Sequence, residues 1–296
     1  MAAKNIQKTL GQDAIEQRGW LLAHKWLLLR RLSQLSILFL FLLGPFFGLW
    51  LVKGNMSSSL ILDVLPLSDP FVFLQILFTG HLPELTVVTG AIIVGLFYFL
   101  VGGRVYCSWV CPINIVTDTA DWLRRVLNIK TSLSFSRMGR YGLLVVSLLL
   151  ASITGILVWE LVNPVTMIQR ELVFGMGFSW LFIVGIFILD AFVSRRAWCG
   201  HLCPMGAFYS ALGKFSLIKV NALNRADCDD CMDCFAVCPE PQVIKPALKG
   251  NGTPIINSGN CTNCGRCIDV CAKDVFTIKH RFISSNLLTS QHEVHL

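Results

Sequence analysis

Long apolar runs alternate with short polar segments along the first two thirds of the chain. Four runs, at residues 33–52, 85–101, 141–161 and 172–193, approach the roughly 20 residues that a helix needs to cross a bilayer core. A fifth run, 71–78, is too short to span and is predicted to lie at the interface or to re-enter. The pattern therefore predicts an α-helical polytopic membrane domain with four transmembrane helices.

Basic residues lie unevenly between these runs. Six precede the first run, six separate the second from the third, and the fourth is followed by Arg195 and Arg196, whereas the opposite loops offer little beyond Lys53 and Arg170. Because cytoplasmic loops of membrane proteins are enriched in Lys and Arg, both termini are predicted to be cytoplasmic. The expected location is the bacterial inner membrane, crossed several times, with all cysteines on the cytoplasmic side.

Composition agrees with a membrane protein. The 296 residues are 54% hydrophobic and only 15% charged, which is too apolar for an ordinary soluble protein. The net charge of +7 comes from residues that flank the apolar runs instead of forming one basic face. Membrane lipid is therefore an expected partner, and nucleic acid is not.

Eight of the twelve cysteines form two tightly spaced runs near the C-terminus. They are Cys228, Cys231, Cys234 and Cys238, followed by Pro239, and then Cys261, Cys264, Cys267 and Cys271. Three closely spaced thiolates can hold one face of a [4Fe–4S] cluster, while the fourth cysteine of each run ligates the other cluster. The predicted ligand sets are Cys228, Cys231, Cys234 with Cys271, and Cys261, Cys264, Cys267 with Cys238. Zinc is the alternative, but it needs no third cysteine in each run.

This stretch resembles the bacterial two-cluster ferredoxins. It departs from them at Ala272, where proline is usual. Short β-type stretches at 243–244, 254–256 and 275–278 predict a compact α+β unit. The expected organisation is a cytoplasmic segment 1–32, a membrane domain 33–217, a two-cluster domain 218–282 and a tail 283–296.

The other four cysteines belong to an internal repeat. Residues 104–112 and 196–204 share an arginine, an aromatic residue and a C-x3-C-P motif, so the membrane domain reads as two pseudo-repeated hairpins, each followed by that motif. Each proline is predicted to open a helix. A position at a helix N-terminus should favour thiolates at Cys111 and Cys203.

Three interpretations of these cysteines remain open. They could form disulfides, they could be structural thiols, or they could have a redox or metal-binding role. In the third case Cys107, Cys111, Cys199 and Cys203 converge and hold a third cluster or another metal.

Together, the duplicated C-x3-C-P hairpin and the two-cluster module resemble the NapH family, the membrane quinol dehydrogenase components of periplasmic nitrate reductase systems. The resemblance implies an electron-transfer subunit, not a stand-alone enzyme, that takes electrons from quinol. The implied partners are a periplasmic iron–sulfur subunit and a membrane-anchored multihaem cytochrome. A membrane assembly or scaffold protein for a respiratory metalloenzyme is the alternative.

Quinol oxidation needs a proton acceptor near the apolar part of the protein. Asp190 is the first candidate because an ionisable residue inside an apolar run is unusual, although it could instead pair with Arg195 or Arg196. Glu160, His81 and Glu84 are weaker candidates.

Overall fold

The computed structural model describes residues 10–129, 132, 133, 135–175, 177–250 and 252–282, so the predicted tail 283–296 lies outside the described residues. Helices α1 (Gln12–Arg18), α2 (Trp20–Ala23) and α3 (Lys25–Phe47) follow one another at the start. The C-terminal domain caps α3, because the Asp269 carboxylate accepts hydrogen bonds from the N–H groups of Trp26 at 3.1 Å and Leu27 at 3.0 Å. The longest helix of the described chain thus begins on that domain.

The prediction of four transmembrane helices is wrong. Within the described ranges only α3 is long and apolar enough to cross a membrane. The other three apolar runs form shorter helices, namely α5 (Leu85–Val101), α7 (Gly139–Thr154) and α10 (Ser179–Ile188). At 1.5 Å per residue, even the 17 residues of α5 reach only about 26 Å, against a core of about 30 Å.

Glycines explain why α7 and α10 are shorter than the third and fourth apolar runs. α7 ends at Gly155 with a φ of 69°, inside the third predicted span. Gly175, with a φ of 93°, ends a separate helix at the start of the fourth predicted span. Positive φ suits glycine and stops an α-helix, so apolar composition continues where the helix does not.

Each half of the repeat has the same order of elements. In the first half, α3 leads to α4 (Pro70–Phe78), α5, a π-helical turn at Tyr106–Val110 and α6 (Ile113–Val126). In the second half, α7 leads through α8 (Val158–Val162) to α9 (Pro164–Phe174), α10, π-helical turns at Leu189–Val193 and Trp198–Leu202, and α11 (Pro204–Gly213). The helices predicted after each C-x3-C-P motif are therefore present as α6 and α11.

Two small sheets complete the described fold. Strands β1 (Val52–Gly54), β2 (Ser58–Ile61) and β3 (Leu65–Ser68) form an antiparallel meander between α3 and α4, with Val52 opposite Ile61 and Ser59 opposite Leu67. Strands β4 (Ile218–Asn221) and β5 (Thr277–His280) pair antiparallel at the ends of the C-terminal domain, with Val220 opposite Ile278.

The C-terminal domain packs short helices on β4 and β5. They are α12 (Asp233–Val237), α13 (Ile244–Lys249) and α14 (Arg266–Asp269), with 3-10 turns at Arg225–Asp227 and Pro241–Val243. The predicted β-type stretch at 243–244 is wrong, since it lies in a turn and a helix. Of the stretch at 254–256, Ile255 makes a single bridge to Asn221.

Close backbone contact joins the two halves of the repeat. A Cβ atom added to Gly103 would lie 1.9 Å from the Tyr209 carbonyl oxygen and 2.5 Å from the Gly213 nitrogen. Only glycine allows the segment between α5 and the first C-x3-C turn to lie directly on α11. The two C-x3-C turns are held together in this way.

Candidate metal centres

The first predicted set of four cysteines surrounds one cavity. Cys228, Cys231, Cys234 and Cys271 all line a space of about 510 Å³ that opens to solvent. Cys231 is exposed and Cys234 is buried, so the cavity runs from the surface into the core of the C-terminal domain.

The second predicted set surrounds a neighbouring cavity. Cys238, Cys261, Cys264 and Cys267 line a space of about 360 Å³, closed on one side by Val220. In both cavities the fourth thiol comes from the other cysteine run, which is the crossed arrangement that the spacing predicts. The charge of Cys234 contributes to the raised pKa of Cys267, so the two sets are neighbours.

Burial keeps most of these thiols protonated in the absence of metal. It raises the pKa of Cys234 to about 12, with further contributions from Cys231 and Cys271, and that of Cys261 to about 11. Cys264 is different, since Arg266 and Arg30 outweigh its burial and lower its pKa. A bound metal supplies the positive charge that such thiolates need.

The thiols of each set line a cavity and do not converge on a single metal-ion position. Among the described residues, no three His, Cys, Asp or Glu side chains come together closely enough to bind one metal ion. A zinc site would require such convergence. Four thiols around a cavity instead fit a four-iron cluster, which takes one thiolate per iron.

The four repeat cysteines also meet. The C-x3-C segments are wound as π-helical turns, in which the N–H of Cys111 donates to the Tyr106 carbonyl at 3.0 Å and that of Cys203 to the Trp198 carbonyl at 2.9 Å. π-Helical turns are rare and often mark functional sites. The charge of Cys107 raises the pKa of both Cys111 and Cys203, which places thiols from the two halves side by side.

The expectation that these thiols have lowered pKa values is wrong for the metal-free protein. Burial raises the pKa of Cys203 to about 12, and it raises those of Cys111 and Cys199 as well. The N–H groups of Met205 and Gly206 and the charge of Arg104 do lower the pKa of Cys203, as a helix N-terminus should, but they are outweighed.

Asp190 holds one of these turns. It is 1% exposed, and its Oδ1 accepts a hydrogen bond from the Trp198 N–H at 3.0 Å, next to Cys199. Within the described chain it forms no ion pair with Arg195 or Arg196, which pair with Asp121 and Asp118. The weaker candidates also lie elsewhere: Glu160 accepts hydrogen bonds from Ser57 and Asn163, and His81 and Glu84 are exposed.

Arg104 connects the repeat thiols to the second cysteine set. Its Nη2 donates to the Cys199 carbonyl at 3.2 Å, and its Nη1 donates to the Asn260 carbonyl at 3.0 Å and to the Glu240 carboxylate at 2.7 Å. Glu240 also accepts from Arg140 at 2.9 Å and Arg137 at 2.6 Å. Burial alone would raise the pKa of Glu240, but these arginines lower it.

Asp118 is a second meeting point of arginines. Its carboxylate pairs with Arg196 at 2.6 Å, with Arg266 at 2.7 Å and with Arg31, which joins the repeat, the C-terminal domain and α3. Sequence reasoning missed both Glu240 and Asp118. Several arginines that it used to predict membrane topology are in fact structural partners of these acids.

Direct contacts also join the first C-x3-C turn to the Cys261–Cys264 loop. The Ser108 hydroxyl donates to the Thr262 carbonyl at 2.8 Å, and the Trp109 indole N–H donates to the Asn263 carbonyl at 3.2 Å. From α3, the Gln34 amide donates to the carbonyls of Ser108 at 3.0 Å and Cys111 at 3.2 Å. The second cysteine set thus lies between the repeat thiols and the first set.

Comparison with known proteins defines the class. A model described as a 4Fe-4S binding domain matches residues 84–130 and again 176–222, so it covers both C-x3-C-P motifs. A 4Fe-4S dicluster domain matches residues 227–275. With the thiol-lined cavities, these matches define a ferredoxin-type iron–sulfur protein.

Relatives of similar length identify the family. The chain is 47% identical to the ferredoxin-type protein NapH of Escherichia coli over 95% of this chain and 98% of that protein, and 50% identical to NapH of Haemophilus influenzae over 94% and 98%. It is 54% identical to the methylamine utilization ferredoxin-type protein MauN of Paracoccus denitrificans over 84% and 88%. The chain belongs to this NapH and MauN family, which confirms the predicted family membership. No solved structure matches it.

Proposed function

We propose that the chain is a membrane-bound electron-transfer subunit that takes electrons from quinol and passes them towards a periplasmic nitrate reductase through partner redox subunits. The observation that carries this proposal is the arrangement of three four-cysteine groups in a row: hydrogen bonds join the first C-x3-C turn to the second group, and the first and second groups share the core of the C-terminal domain. A row of such groups suits electron transfer better than storage of metal.

The two cavities of the C-terminal domain are assigned to two [4Fe–4S] clusters. Cys228, Cys231, Cys234 and Cys271 would hold the outer one, and Cys238, Cys261, Cys264 and Cys267 the inner one. A [4Fe–4S] cluster supplies one-electron transfer when it is bound. Arg266 and Arg30 stabilise the Cys264 thiolate, and so favour ligation at the inner site.

We assign a third [4Fe–4S] cluster to Cys107, Cys111, Cys199 and Cys203. Each half of the repeat matches a 4Fe-4S binding domain but supplies only two cysteines, so the two halves together provide the four thiolates that one cluster requires. The π-helical turns bring these thiols together, and Asp190 and Arg104 fix the turn around Cys199 from two sides.

α3 is the proposed membrane anchor. It exposes Leu32, Leu35 and Phe39, each more than half exposed, which a bilayer would cover. The C-terminal domain caps the arginine-bearing end of α3, which supports the proposal that this domain lies on the cytoplasmic side of a bacterial inner membrane.

A second physiological acceptor is favoured by the relatives themselves. The chain is 52% identical to MauN of Methylorubrum extorquens over 92% of this chain, which is as close as its identity to NapH. We therefore also propose a role in methylamine utilization as the alternative destination of the electrons. The donor side would be the same.

Quinol reduction of the purified protein tests the proposed function. The full chain, prepared without oxygen in lipid nanodiscs, is mixed with duroquinol, and cluster reduction is followed by electron paramagnetic resonance and by visible absorbance. We expect reduction by duroquinol in wild type. Dithionite treatment of the same sample measures the total reducible clusters and serves as the control.

One result would overturn the proposal. Clusters that dithionite reduces fully but duroquinol never reduces would exclude quinol as the donor. The assembly or scaffold role would then be preferred.

A further inference from the structure

A second repeated motif precedes each C-x3-C turn. Residues 69–75 and 163–169 both read Asx-Pro-x4-Gln. In each copy the Asx side chain accepts a hydrogen bond from the N–H two residues later, at 2.7 Å in the first and 3.1 Å in the second, and so caps α4 or α9. The two motifs are equivalent parts of the two halves.

Only the second copy has all its polar atoms paired. The Asn163 amide donates to Glu160 at 2.9 Å, and Gln169 accepts from the Met56 N–H at 2.9 Å and donates to the Gly54 carbonyl at 3.4 Å. In the first copy, Asp69 Oδ2 and Gln75 Nε2 are buried and have no hydrogen-bond partner among the residues that the structure describes. The two side chains are 4% and 0% exposed.

Two further unpaired atoms belong to the same contact network. They are the Tyr209 hydroxyl and the Trp159 indole nitrogen, both buried. Tyr209 lies beside Asp69 and lowers its pKa, although the two make no hydrogen bond of normal geometry. The backbone N–H of Trp159 donates to Gln75 Oε1 at 3.3 Å, and the Trp159 ring centroid is 6.3 Å from that of Phe71, which follows the Asp69 cap.

Four unpaired atoms in one network call for an explanation. Leaving a buried donor or acceptor unpaired costs about 1–3 kcal/mol, and native proteins rarely tolerate it. A bound molecule that pairs with these atoms removes the cost. It must accept from Gln75 Nε2 and Trp159 Nε1 and donate to the Asp69 carboxylate.

Aromatic side chains determine the shape of such a molecule. The rings of Tyr106 and Tyr209 stack at 4.9 Å with 13° between their planes, and the Tyr98 ring meets Tyr209 edge-on at 5.2 Å. Phe71 packs against Phe208 at 5.5 Å. Aromatic rings next to buried, unpaired polar atoms suit the binding of an aromatic ring that carries an oxygen at each end.

The site also adjoins the repeat thiols. Tyr106 directly precedes Cys107, and Tyr209 lies on α11, which starts immediately after Cys203. The Cys107 charge contributes to the raised pKa of Tyr209, so sulfur and hydroxyl are near neighbours.

We propose that Asp69, Gln75, Trp159 and Tyr209 bind the head group of a quinol, with the Asp69 carboxylate accepting the hydrogen bond of one quinol hydroxyl. The assignment rests on the proposed function, since quinol is its electron donor. It replaces Asp190 as the group that contacts the substrate.

The acid–base state of Asp69 agrees with this role. Burial raises its pKa to about 7, and the charge of Glu160 adds to the effect, while the N–H of Phe71 and the Tyr209 hydroxyl act in the opposite direction. A carboxyl group with a pKa near neutrality can accept a hydrogen bond or a proton at physiological pH.

Binding of duroquinol by the full chain in nanodiscs, without oxygen and with the clusters already reduced by dithionite, tests the site. Isothermal titration calorimetry, with empty nanodiscs as blank, compares wild type with Asp69→Asn and Tyr209→Phe. Asparagine still caps α4, so Asp69→Asn should keep the fold and weaken binding at least about tenfold. Asn163→Ser keeps the cap of α9 and is the matched control, with unchanged affinity expected.

Tyr209→Phe separates a binding role from a structural one. Because its hydroxyl has no hydrogen-bond partner of normal geometry among the described residues, its removal should leave the melting temperature unchanged or raised, yet weaken duroquinol binding several-fold. If Asp69→Asn does not fold, the binding measurement on Tyr209→Phe alone tests the proposed site.

The outcomes distinguish the site from the function. The site is overturned and the function left intact if duroquinol reduces the wild type while the variants bind duroquinol as the wild type does. Both are overturned if duroquinol neither reduces the wild type nor binds to it.

Discussion

Replacing Glu240 with glutamine should loosen the C-terminal domain from the repeats. The carboxylate receives hydrogen bonds from Arg104 at 2.7 Å, Arg140 at 2.9 Å and Arg137 at 2.6 Å, and the first two arginines are 2% and 0% exposed. Glutamine keeps the shape but removes the charge, which leaves two buried guanidinium ions without a counter-charge. Breaking a buried ion pair in this way costs roughly 3–5 kcal/mol.

Thermal unfolding of the protein in detergent measures the effect. At about 2–4 °C per kcal/mol for a domain of this size, the melting temperature should fall by roughly 6–20 °C. Asp63→Asn is the matched control, because the same chemical change in the exposed Lys53–Asp63 pair should cost less than about 1 kcal/mol. A fall no larger for Glu240→Gln than for the control would refute the idea that this network holds the domain in place.

Two further variants test the cluster assignments. Cys271 lies in the second cysteine run but lines the same cavity as Cys228, so Cys271→Ser should remove the outer cluster. Chemical iron analysis should then show a loss of about four irons. Loss of the inner cluster instead would reverse the crossed assignment. Cys203→Ser should also remove about four irons while both ferredoxin-type resonance signals persist, and unchanged iron would make the repeat cysteines structural thiols.

The cysteine sets were predictable because their geometry is local. Three thiols within seven residues, as at Cys228 to Cys234, have few ways to arrange themselves. The repeat was also visible, because arginine, cysteine and proline recur at fixed spacing. The Asx-Pro-x4-Gln repeat at 69–75 carried an equally clear signal in the sequence, but it was missed.

Other features depend on contacts between distant parts of the chain. Glu240 pairs with Arg104 and Arg140, which lie 136 and 100 positions away in the sequence, and no local pattern predicts such pairs. The helix lengths were predicted wrongly for a different reason. The apolar sequence continues through Gly155 and Gly175, but the helical backbone ends at each of them. The prediction of lowered thiol pKa values was wrong because burial, which the sequence does not reveal, raises the pKa by more than the helix N-terminus lowers it.

The even division of the repeat cysteines suggests an origin for the asymmetric site. One half alone has two thiols, so a protein made of a single half would complete the set only as a homodimer about a twofold axis. Fusion into one chain ends the requirement that both halves stay alike. Equivalent positions of the two halves now differ: Asp69 corresponds to Asn163, Tyr98 to Asp190, and Thr117 to Tyr209. Divergence of equivalent positions allows side chains of both halves, such as Asp69 and Tyr209, to contribute to one site that has no twofold symmetry.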